Sequence, residues 1–212
     1  MSLQVKGISF GYPGEKTKVI ENFSSYFSSE KITGLVGPNG SGKTTLARII
    51  MGILKPEKGM VLLDGKDLAA DTLAQRGKKL GYVMQNPGRQ IFSATVEEEM
   101  EYGLRNLGLP EEEISRRREE YLDYFQVSHH RKSFPYTLSH GEKQRLVLAA
   151  VLAMEPAYLI LDEPTASLDR QRSALLGKYL AGLSSGIILI SHDEGFVEEY
   201  CHEVVVMERS NE

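Results

Sequence analysis

The chain is poor in three features that would point to other classes of protein. It contains a single cysteine, Cys201, so no internal disulfide can form and a reducing compartment is expected. Its formal net charge is −4, so no basic excess predicts nucleic-acid binding as its main role. No apolar run approaches the ~20 residues of a membrane span, and the start "MSLQVKGISF" lacks the apolar segment of a signal peptide. Any work at a membrane therefore requires another chain to supply the membrane part.

What the chain does have is enough apolar sequence for a real core, with 41% hydrophobic residues. Residues 1–85 and 156–212 contain short apolar strands and interspersed helices, whereas residues 86–155 have helical patterns only. Short apolar strands between helices imply a mostly parallel sheet that is covered on both faces. Asp64-Gly65 adds a hairpin signal and hence an antiparallel β region. The sequence predicts one α/β domain over residues 1–212, with a core formed by 1–85 and 156–212 and an all-helical insertion at 86–155.

Two helix starts in the insertion carry a capping box. Thr95 with Glu98 opens one helix, and Ser139 with Glu142 opens another. The second start contains an oddity, because Gly141 lies in its first turn, where glycine costs roughly 1 kcal/mol relative to alanine. Glycine at such a position indicates that the backbone comes close to another group, where a side chain would not fit.

A cluster of arginines and a pair of histidines in the insertion could indicate RNA binding and metal binding, but a simpler interpretation is favoured for each. The triplet Arg116 to Arg118 lies among acidic residues, which favours a solvated helix face over an RNA contact. His129 and His130 are adjacent, and adjacent side chains rarely converge on one metal ion. We expect these histidines to lie in a polar loop.

A phosphate-binding loop follows the strand "ITGLV" and precedes a helix, the context in which G-x-x-x-x-G-K-[ST] is informative. Glycines allow successive backbone N–H groups to turn towards phosphates, and the helix N-terminus adds a positive dipole. Lys43 is expected at the β- and γ-phosphates and the Thr44 hydroxyl at Mg²⁺. The nucleotide-binding residues predicted here are Gly37, Pro38, Asn39, Gly40, Ser41, Gly42, Lys43, Thr44 and Thr45.

Two carboxylates follow a later buried strand in "YLILDEP". The carboxyl ends of strands in an open α/β sheet are where ligands bind. Asp162 is placed to hold Mg²⁺ through water, and Glu163 to polarise an attacking water as a general base. An acidic turn is common by itself, but its pairing with a phosphate-binding loop favours nucleotide chemistry.

Taken together, these motifs resemble the ATP-binding-cassette (ABC) ATPases over nearly the whole chain. "LSHGEKQR" matches the LSGGQ-type signature of that family, with Ser139, His140, Gly141 and Glu142 at its centre. The family's D-loop corresponds to Ser167, Leu168 and Asp169, its switch histidine to His192, and its glutamine between core and helical subdomain to Gln85. Tyr12 lies 25 residues before Gly37, as does the family's adenine-stacking aromatic residue.

The resemblance implies a mechanism that uses ATP and Mg²⁺. Two domains dimerise head to tail, and each ATP lies between one phosphate-binding loop and the signature helix of the other domain. Ser139 and the Gly141 N–H are then γ-phosphate donors in trans. Thr44 and Gln85 bind Mg²⁺, with Asp162 acting through water, while Glu163 activates water and His192 positions the γ-phosphate. His140 stands where the family usually has glycine, so it is expected at the dimer interface with activity retained.

The segment "QNPGRQIF", Gln85 to Phe92, followed by an acidic helix, is similar to the ATPases of energy-coupling-factor (ECF) importers. These complexes take up vitamins or transition-metal ions such as cobalt and nickel. The resemblance implies contact with a transmembrane subunit through Gln90 and the residues around Phe92, and a peripheral position on the cytoplasmic face of the membrane. A local Asn-Pro turn at a helix start is the plainer alternative.

Two other functions are alternatives to that of an importer ATPase. A non-transport ABC ATPase acting on nucleic acid or the ribosome usually adds a coiled coil or a second cassette with a basic linker, and the sequence shows neither. A regulatory module without turnover would be expected to lack Glu163 or His192, and both are present. Many ECF ATPases carry a C-terminal extension that maintains the dimer. The sequence given ends at Glu212, so either a permanent dimer is not expected or the extension is missing from this sequence, and both alternatives stay open. A homodimer and a heterodimer also both stay open.

Overall fold

A computed structural model describes residues 2–15, 17–166 and 168–209 of the chain. These residues include two β-sheets and seven α-helices. The strands are β1 (Ser2–Phe10), β2 (Ile20–Ser28), β3 (Ile32–Val36), β4 (Lys58–Leu63), β5 (Lys66–Asp67), β6 (Leu80–Val83), β7 (Tyr158–Asp162), β8 (Gly186–Ile190) and β9 (Glu203–Val206). The helices are α1 (Lys43–Met51), α2 (Leu73–Gly77), α3 (Val96–Asn106), α4 (Glu111–Tyr124), α5 (His140–Leu152), α6 (Arg170–Ala181) and α7 (Glu194–Tyr200).

The larger sheet is parallel throughout, with the strand order β6-β7-β8-β3-β9. Leu35 of β3 and Asp162 of β7 are both in register with Ile190 of β8. The loops after these three strands therefore leave the sheet side by side at one edge.

The smaller sheet is antiparallel, with the order β2-β1-β4-β5. Asp64 and Gly65 join β4 to β5 with positive φ angles of 51° and 76°. Two successive positive φ angles define the tight hairpin turn that Asp-Gly favours, so the predicted hairpin is confirmed.

Two hydrophobic clusters cover the two faces of the parallel sheet. Alternate residues of β7 point to opposite faces, with Leu159 and Leu161 in the first cluster and Tyr158 and Ile160 in the second. The first cluster contains residues of α3, α4, α5, α6 and α7, and the second contains α1 and the antiparallel sheet. The helices of the insertion thus share a continuous core with one face of the sheet.

Both predicted capping boxes are present. Thr95 accepts a hydrogen bond from the Glu98 backbone at the start of α3, and Ser139 accepts one from Glu142 at the start of α5. The histidine pair lies in a short 3₁₀ helix, Ser128–His130, rather than in an irregular loop. Among the described residues, no helix combines the length and apolar character needed to cross a bilayer.

The prediction of a solvated face for the arginine triplet is only partly right. The Arg116 side chain is 56% exposed, but those of Arg117 and Arg118 are 14% and 10% exposed. Arg117 pairs with Glu113, and Arg118 pairs with Glu101 of α3. The sequence could not reveal this because contacts between distant segments hold these side chains: Arg118 pairs with α3, and Arg117 reaches the Ala153 carbonyl and Glu155 after α5.

Tyr158 ties the two sheets together. Its ring is fully buried and its hydroxyl donates a 3.1 Å hydrogen bond to the Phe27 carbonyl of β2, while burial raises its pKa to about 12. Gly186 makes room for the ring, because a Cβ there would lie 2.3 Å from it.

We expect Tyr158→Phe to lower the free energy of unfolding by about 1 kcal/mol, the typical net value of one intramolecular hydrogen bond. Urea denaturation measures the change. Tyr26→Phe is the matched control, because Tyr26 is 55% exposed on the same strand as Phe27, and it should shift stability by less than about 0.5 kcal/mol. Equal stability of Tyr158→Phe and the unmodified chain would contradict the assigned link.

Candidate functional site

The phosphate-binding loop connects β3 to α1. Gly37, Gly40 and Gly42 have positive φ angles of 149°, 83° and 93°, which residues with a Cβ rarely adopt. A Cβ at Gly37 would also lie 2.1 Å from the carbonyl oxygen of Met207. The loop can therefore take this path only with glycine at these positions.

Lys43 is buried at the start of α1 and turns back into the loop. Its Nζ donates hydrogen bonds of 2.8 Å and 3.0 Å to the carbonyl oxygens of Gly37 and Pro38. Burial lowers the pKa of Lys43, while the charges of Glu163 and Asp162 act in the opposite direction. The ammonium is thus held against the backbone of the loop.

Asp162 ends β7 and is 1% exposed. Burial raises the pKa of its carboxyl above the usual value, opposed chiefly by hydrogen bonds from Thr44 and Tyr82. The Tyr82 hydroxyl donates to Oδ2 over 3.4 Å. A buried carboxylate beside a threonine hydroxyl offers the oxygen ligands that Mg²⁺ prefers.

Glu163 follows in a strained conformation, with φ at 53°. Its backbone N–H donates to the Ile190 carbonyl over 2.9 Å, and its Oε2 accepts from the His192 N–H over 3.3 Å. Its buried Oε1 lies 3.4 Å from His192 Nε2, but the geometry does not form a hydrogen bond, so Oε1 has no hydrogen-bond partner among the described residues. Burial raises the pKa of this carboxyl. A non-glycine residue in this conformation with an unpartnered oxygen is typical of a functional group.

A cavity of about 370 Å³ brings these groups together. The Tyr12 hydroxyl shares a 3.1 Å hydrogen bond with the Thr45 hydroxyl at its wall. The cavity is lined by the following residues predicted from sequence: Tyr12, Asn39, Gly40, Gly42, Lys43, Thr44, Thr45, Gln85, Asp162, Glu163 and His192. Gly37 and Pro38 contribute the carbonyl groups that hold Lys43. Ser41 is fully buried, and its hydroxyl has no hydrogen-bond partner within residues 2–15, 17–166 and 168–209.

Sequence reasoning missed several contributors to this region. Glu15, Val19 and Ile190 also line the cavity. The Arg209 guanidinium donates hydrogen bonds of 3.1 Å and 2.8 Å to the Asn39 carbonyl, so the segment after β9 braces the phosphate-binding loop. No motif signals these residues, because only the pairing of β3 with β9 brings Arg209 to the loop.

The signature residues lie outside the cavity of their own chain. Ser139 and His140 are exposed at the start of α5. Glu142 Oε2 accepts hydrogen bonds from the Ser139 N–H at 2.8 Å and its hydroxyl at 2.6 Å, and these bonds lower the pKa of Glu142 to about 2. Gly141 follows Ser139 in the first turn of α5 and is partly buried.

The predicted D-loop is only partly described. Ser167 lies outside the described residues. Leu168 packs against the core on the insertion side, and the Asp169 carboxylate caps α6 by accepting from the Arg172 N–H over 2.9 Å. Neither described residue lines the cavity of this chain.

Gln90, predicted to contact a membrane subunit, also bonds within its own chain. Its Nε2 donates to the Tyr82 carbonyl over 2.7 Å, and its Oε1 accepts from the Met84 N–H over 3.1 Å. The amide thus closes the loop that leaves β6, while Phe92 nearby stays 59% exposed. Phe92 therefore offers more exposed surface than the partly buried Gln90, and the predicted contact of both residues with a membrane subunit stays a prediction.

Comparison with known proteins gives a consistent result. A family model described as "ABC transporter" matches residues 20–166. A putative ABC transporter ATP-binding protein of Pyrococcus furiosus is 41% identical over 97% of this chain and 79% of its own length. The energy-coupling factor transporter ATP-binding protein of Methanocaldococcus jannaschii is 39% identical over 97% of this chain and 75% of its own length.

A solved structure shows the same likeness in three dimensions. It is described as cbiO1 from Clostridium perfringens, part of the ABC transporter complex cbiONQ. The TM-score is 0.82 at 34% identity, covering 99% of this chain and 86% of that one. Relatives differ in length, since the chain spans only 32% of a putative ABC transporter ATP-binding protein of Methanosarcina acetivorans, to which it is 42% identical. The chain therefore belongs to the ABC transporter family, as one of its ATP-hydrolysing domains.

Proposed function

We propose that this chain hydrolyses ATP to power a membrane importer of the ECF kind, one that takes up a vitamin or a transition-metal ion. The observation that carries the catalytic part is the shared cavity. This cavity brings together the buried ammonium of Lys43, the Asp162 carboxylate, which suits a metal ion, and the Oε1 atom of Glu163, which has no hydrogen-bond partner among the described residues. This set supplies phosphate binding, cation binding and water activation in one place.

Mg²⁺ fits the oxygen donors at the cavity wall. The Thr44 hydroxyl and the Gln85 side-chain oxygen would hold it directly, and Asp162 would hold it through water. When bound, Mg²⁺ neutralises charge on the β- and γ-phosphates. The chain itself provides the loop N–H groups and the Lys43 ammonium for the same phosphates.

Glu163 is the proposed general base. Its Oε1 is buried and receives no hydrogen bond from the part of the chain that the structure describes, so it can accept a proton from a water molecule without first losing a partner. His192 follows β8, and its ring lies beside Oε1 with its side chain 52% exposed. From there the histidine can orient both the water and the terminal phosphate.

A second ATPase domain is the proposed partner at the open side of the cavity. Ser139 and the Gly141 N–H lie outside the cavity of this chain, on the exposed start of α5, which suits donation to a nucleotide held by another domain. His140 is exposed at the same helix start and would face that nucleotide. Leu168 and Asp169 would contact the partner beside it.

The helical segment 86–155 is proposed to carry the signal from nucleotide to membrane. Gln85 lines the cavity and immediately precedes this segment, which contains α3 and α5. Gln85 would therefore pass a movement at the Mg²⁺ site to these helices. The membrane subunit would dock on the same segment.

The proposed docking surface is an aromatic patch of Phe92, Tyr102, Phe134 and Tyr136, each 49–59% exposed. The Phe92 and Tyr102 rings pack edge to face at 4.6 Å, and the Phe134 and Tyr136 rings lie 5.2 Å apart. The Tyr136 hydroxyl donates to the Ile91 carbonyl over 2.7 Å and thereby joins the two pairs. Exposed contiguous aromatic side chains are typical of protein interfaces.

The relatives support the membrane assignment. One is named as an energy-coupling factor transporter protein, and one structural neighbour is described as part of a transporter complex. We therefore propose that this chain sits on the cytoplasmic face of the membrane, bound to a transmembrane subunit that selects the cargo.

Glu163→Gln should bind ATP with unchanged affinity but hydrolyse it at least about 100-fold more slowly, since general-base catalysis contributes at that scale. The amide keeps the size of the side chain but cannot take the proton. Phosphate release measures turnover, and size-exclusion chromatography with ATP should show a trapped dimer. Turnover at the rate of the unmodified chain would refute the role of Glu163.

Lys43→Ala should weaken ATP binding by roughly 10- to 100-fold, because a charge-assisted contact to phosphate is lost. Equilibrium binding of a fluorescent ATP analogue measures the change. Lys55→Ala, which removes a lysine outside the cavity, should bind as the unmodified chain does. Equal affinities for the Lys43 and Lys55 variants would contradict phosphate binding by Lys43.

Phe92→Ser combined with Tyr102→Ser should abolish retention of the chain by its co-expressed membrane subunit, while ATP affinity stays unchanged. The matched control is Leu73→Ser, which alters an apolar residue that is 60% exposed on α2. Pull-down on the detergent-solubilised membrane subunit measures retention. Full retention of the double variant would place the interface elsewhere.

A further inference from the structure

Three metal-type side chains meet beside the signature helix. One ligand atom each from His129, His130 and Glu142 lies within 4.8 Å of the other two. None of these residues lines the nucleotide cavity. The cluster is therefore separate from the Mg²⁺ site proposed above.

The local fold makes the two histidines converge. They belong to the 3₁₀ helix Ser128–His130, which follows the fully buried Val127. Adjacent residues of such a helix point about 120° apart, since it has about three residues per turn. Here, however, the two rings lie with centroids 4.0 Å apart and planes inclined by 43°. Both rings thus face the same space, contrary to the expectation from their adjacency in sequence.

Glu142 completes the cluster from the first turn of α5. Its Oε1 lies 3.1 Å from His130 Nε2, and its Oε2 accepts the two capping hydrogen bonds from Ser139. The two oxygens therefore have separate partners. Oε1 can bind an ion while Oε2 continues to cap the helix.

We propose that His129, His130 and Glu142 form a binding site for a divalent first-row transition-metal ion of the Zn²⁺ type. Two imidazole nitrogens and one carboxylate oxygen are a ligand set that Zn²⁺ uses in proteins, with a fourth position left to water. At metal–ligand distances of 2.0–2.1 Å, tetrahedral geometry places ligand atoms about 3.3 Å apart. His130 Nε2 and Glu142 Oε1, which lie 3.1 Å apart, already have about this spacing. Rotation of the exposed His129 ring would bring its nitrogen to a similar distance from both atoms. Imidazole ligands disfavour Mg²⁺ and Ca²⁺, which prefer oxygen.

The position of the site gives it a consequence for the signature motif. A bound ion would fasten the segment after α4 to the first turn of α5 through Glu142, whose other oxygen holds Ser139. Metal occupancy would thus restrain the helix start that contains Ser139 and Gly141. This restraint does not depend on ATP hydrolysis, so metal binding is testable in the nucleotide-free chain.

Isothermal titration of the untagged, nucleotide-free chain with Zn²⁺ tests the proposal. The unmodified chain should bind one ion that is lost in His129→Ala combined with His130→Ala, with affinity reduced by roughly 100-fold or more. Glu142→Gln should also bind more weakly, although glutamine can still serve in a capping box. His140→Ala is the matched control, because it removes a neighbouring histidine outside the cluster and should bind as the unmodified chain does. Equal Zn²⁺ affinity of the double variant, or no binding by the unmodified chain, would overturn the site.

A spectroscopic measurement keeps the result independent of folding defects. Co²⁺ bound by these ligands should give visible ligand-field absorption in the unmodified chain and in His140→Ala, but not in the double variant. Unchanged ATP affinity of the double variant would show that it is folded. Absorption that persists in that folded variant would assign the ion to other ligands and refute the proposal.

Discussion

The structure depends on the parallel hydrogen bonding of β3 and β7 to the two sides of β8. This pairing aligns Leu35, Ile190 and Asp162 across the sheet, so the loops that follow the three strands emerge at the same edge. The phosphate-binding loop, the Asp162–Glu163 pair and His192 are each carried by one of these loops. Sites at the carboxyl edge of a parallel sheet arise in this way from backbone geometry before any side chain contributes.

Burial then gives the gathered side chains their character. Desolvation lowers the pKa of Lys43 and raises the pKa values of Asp162 and Glu163. The two carboxylates act against the shift of the lysine, and the lysine acts against the shifts of both carboxylates. Glu163 is in addition held in a left-handed conformation with one oxygen unpartnered. A buried carboxylate oxygen without a hydrogen bond lowers the stability of the fold, and a ligand that donates a hydrogen bond to it restores that stability.

Prediction from sequence was most successful where the signal is local. The Asp64-Gly65 turn and the capping boxes of α3 and α5 follow from the backbone preferences of a few adjacent residues. It was less successful where contacts between distant segments decide. Arg118 looks solvated beside its acidic neighbours, but α3 buries it. The bonds of the Gln90 amide to the backbone of Tyr82 and Met84 likewise follow from no local pattern.

The sequence alone determined the α/β class, the phosphate-binding loop and the order of the family's motifs, because each is written in contiguous residues whose conformation is locally constrained. Which distant groups meet depends instead on how the elements pack together. Arg209 reaches the Asn39 carbonyl because β9 pairs with β3, and Glu142 reaches the histidine pair because α5 begins beside the segment that follows α4. Such contacts depend on strand order and helix packing, and these result from the burial of the whole core rather than from the pattern of any single segment.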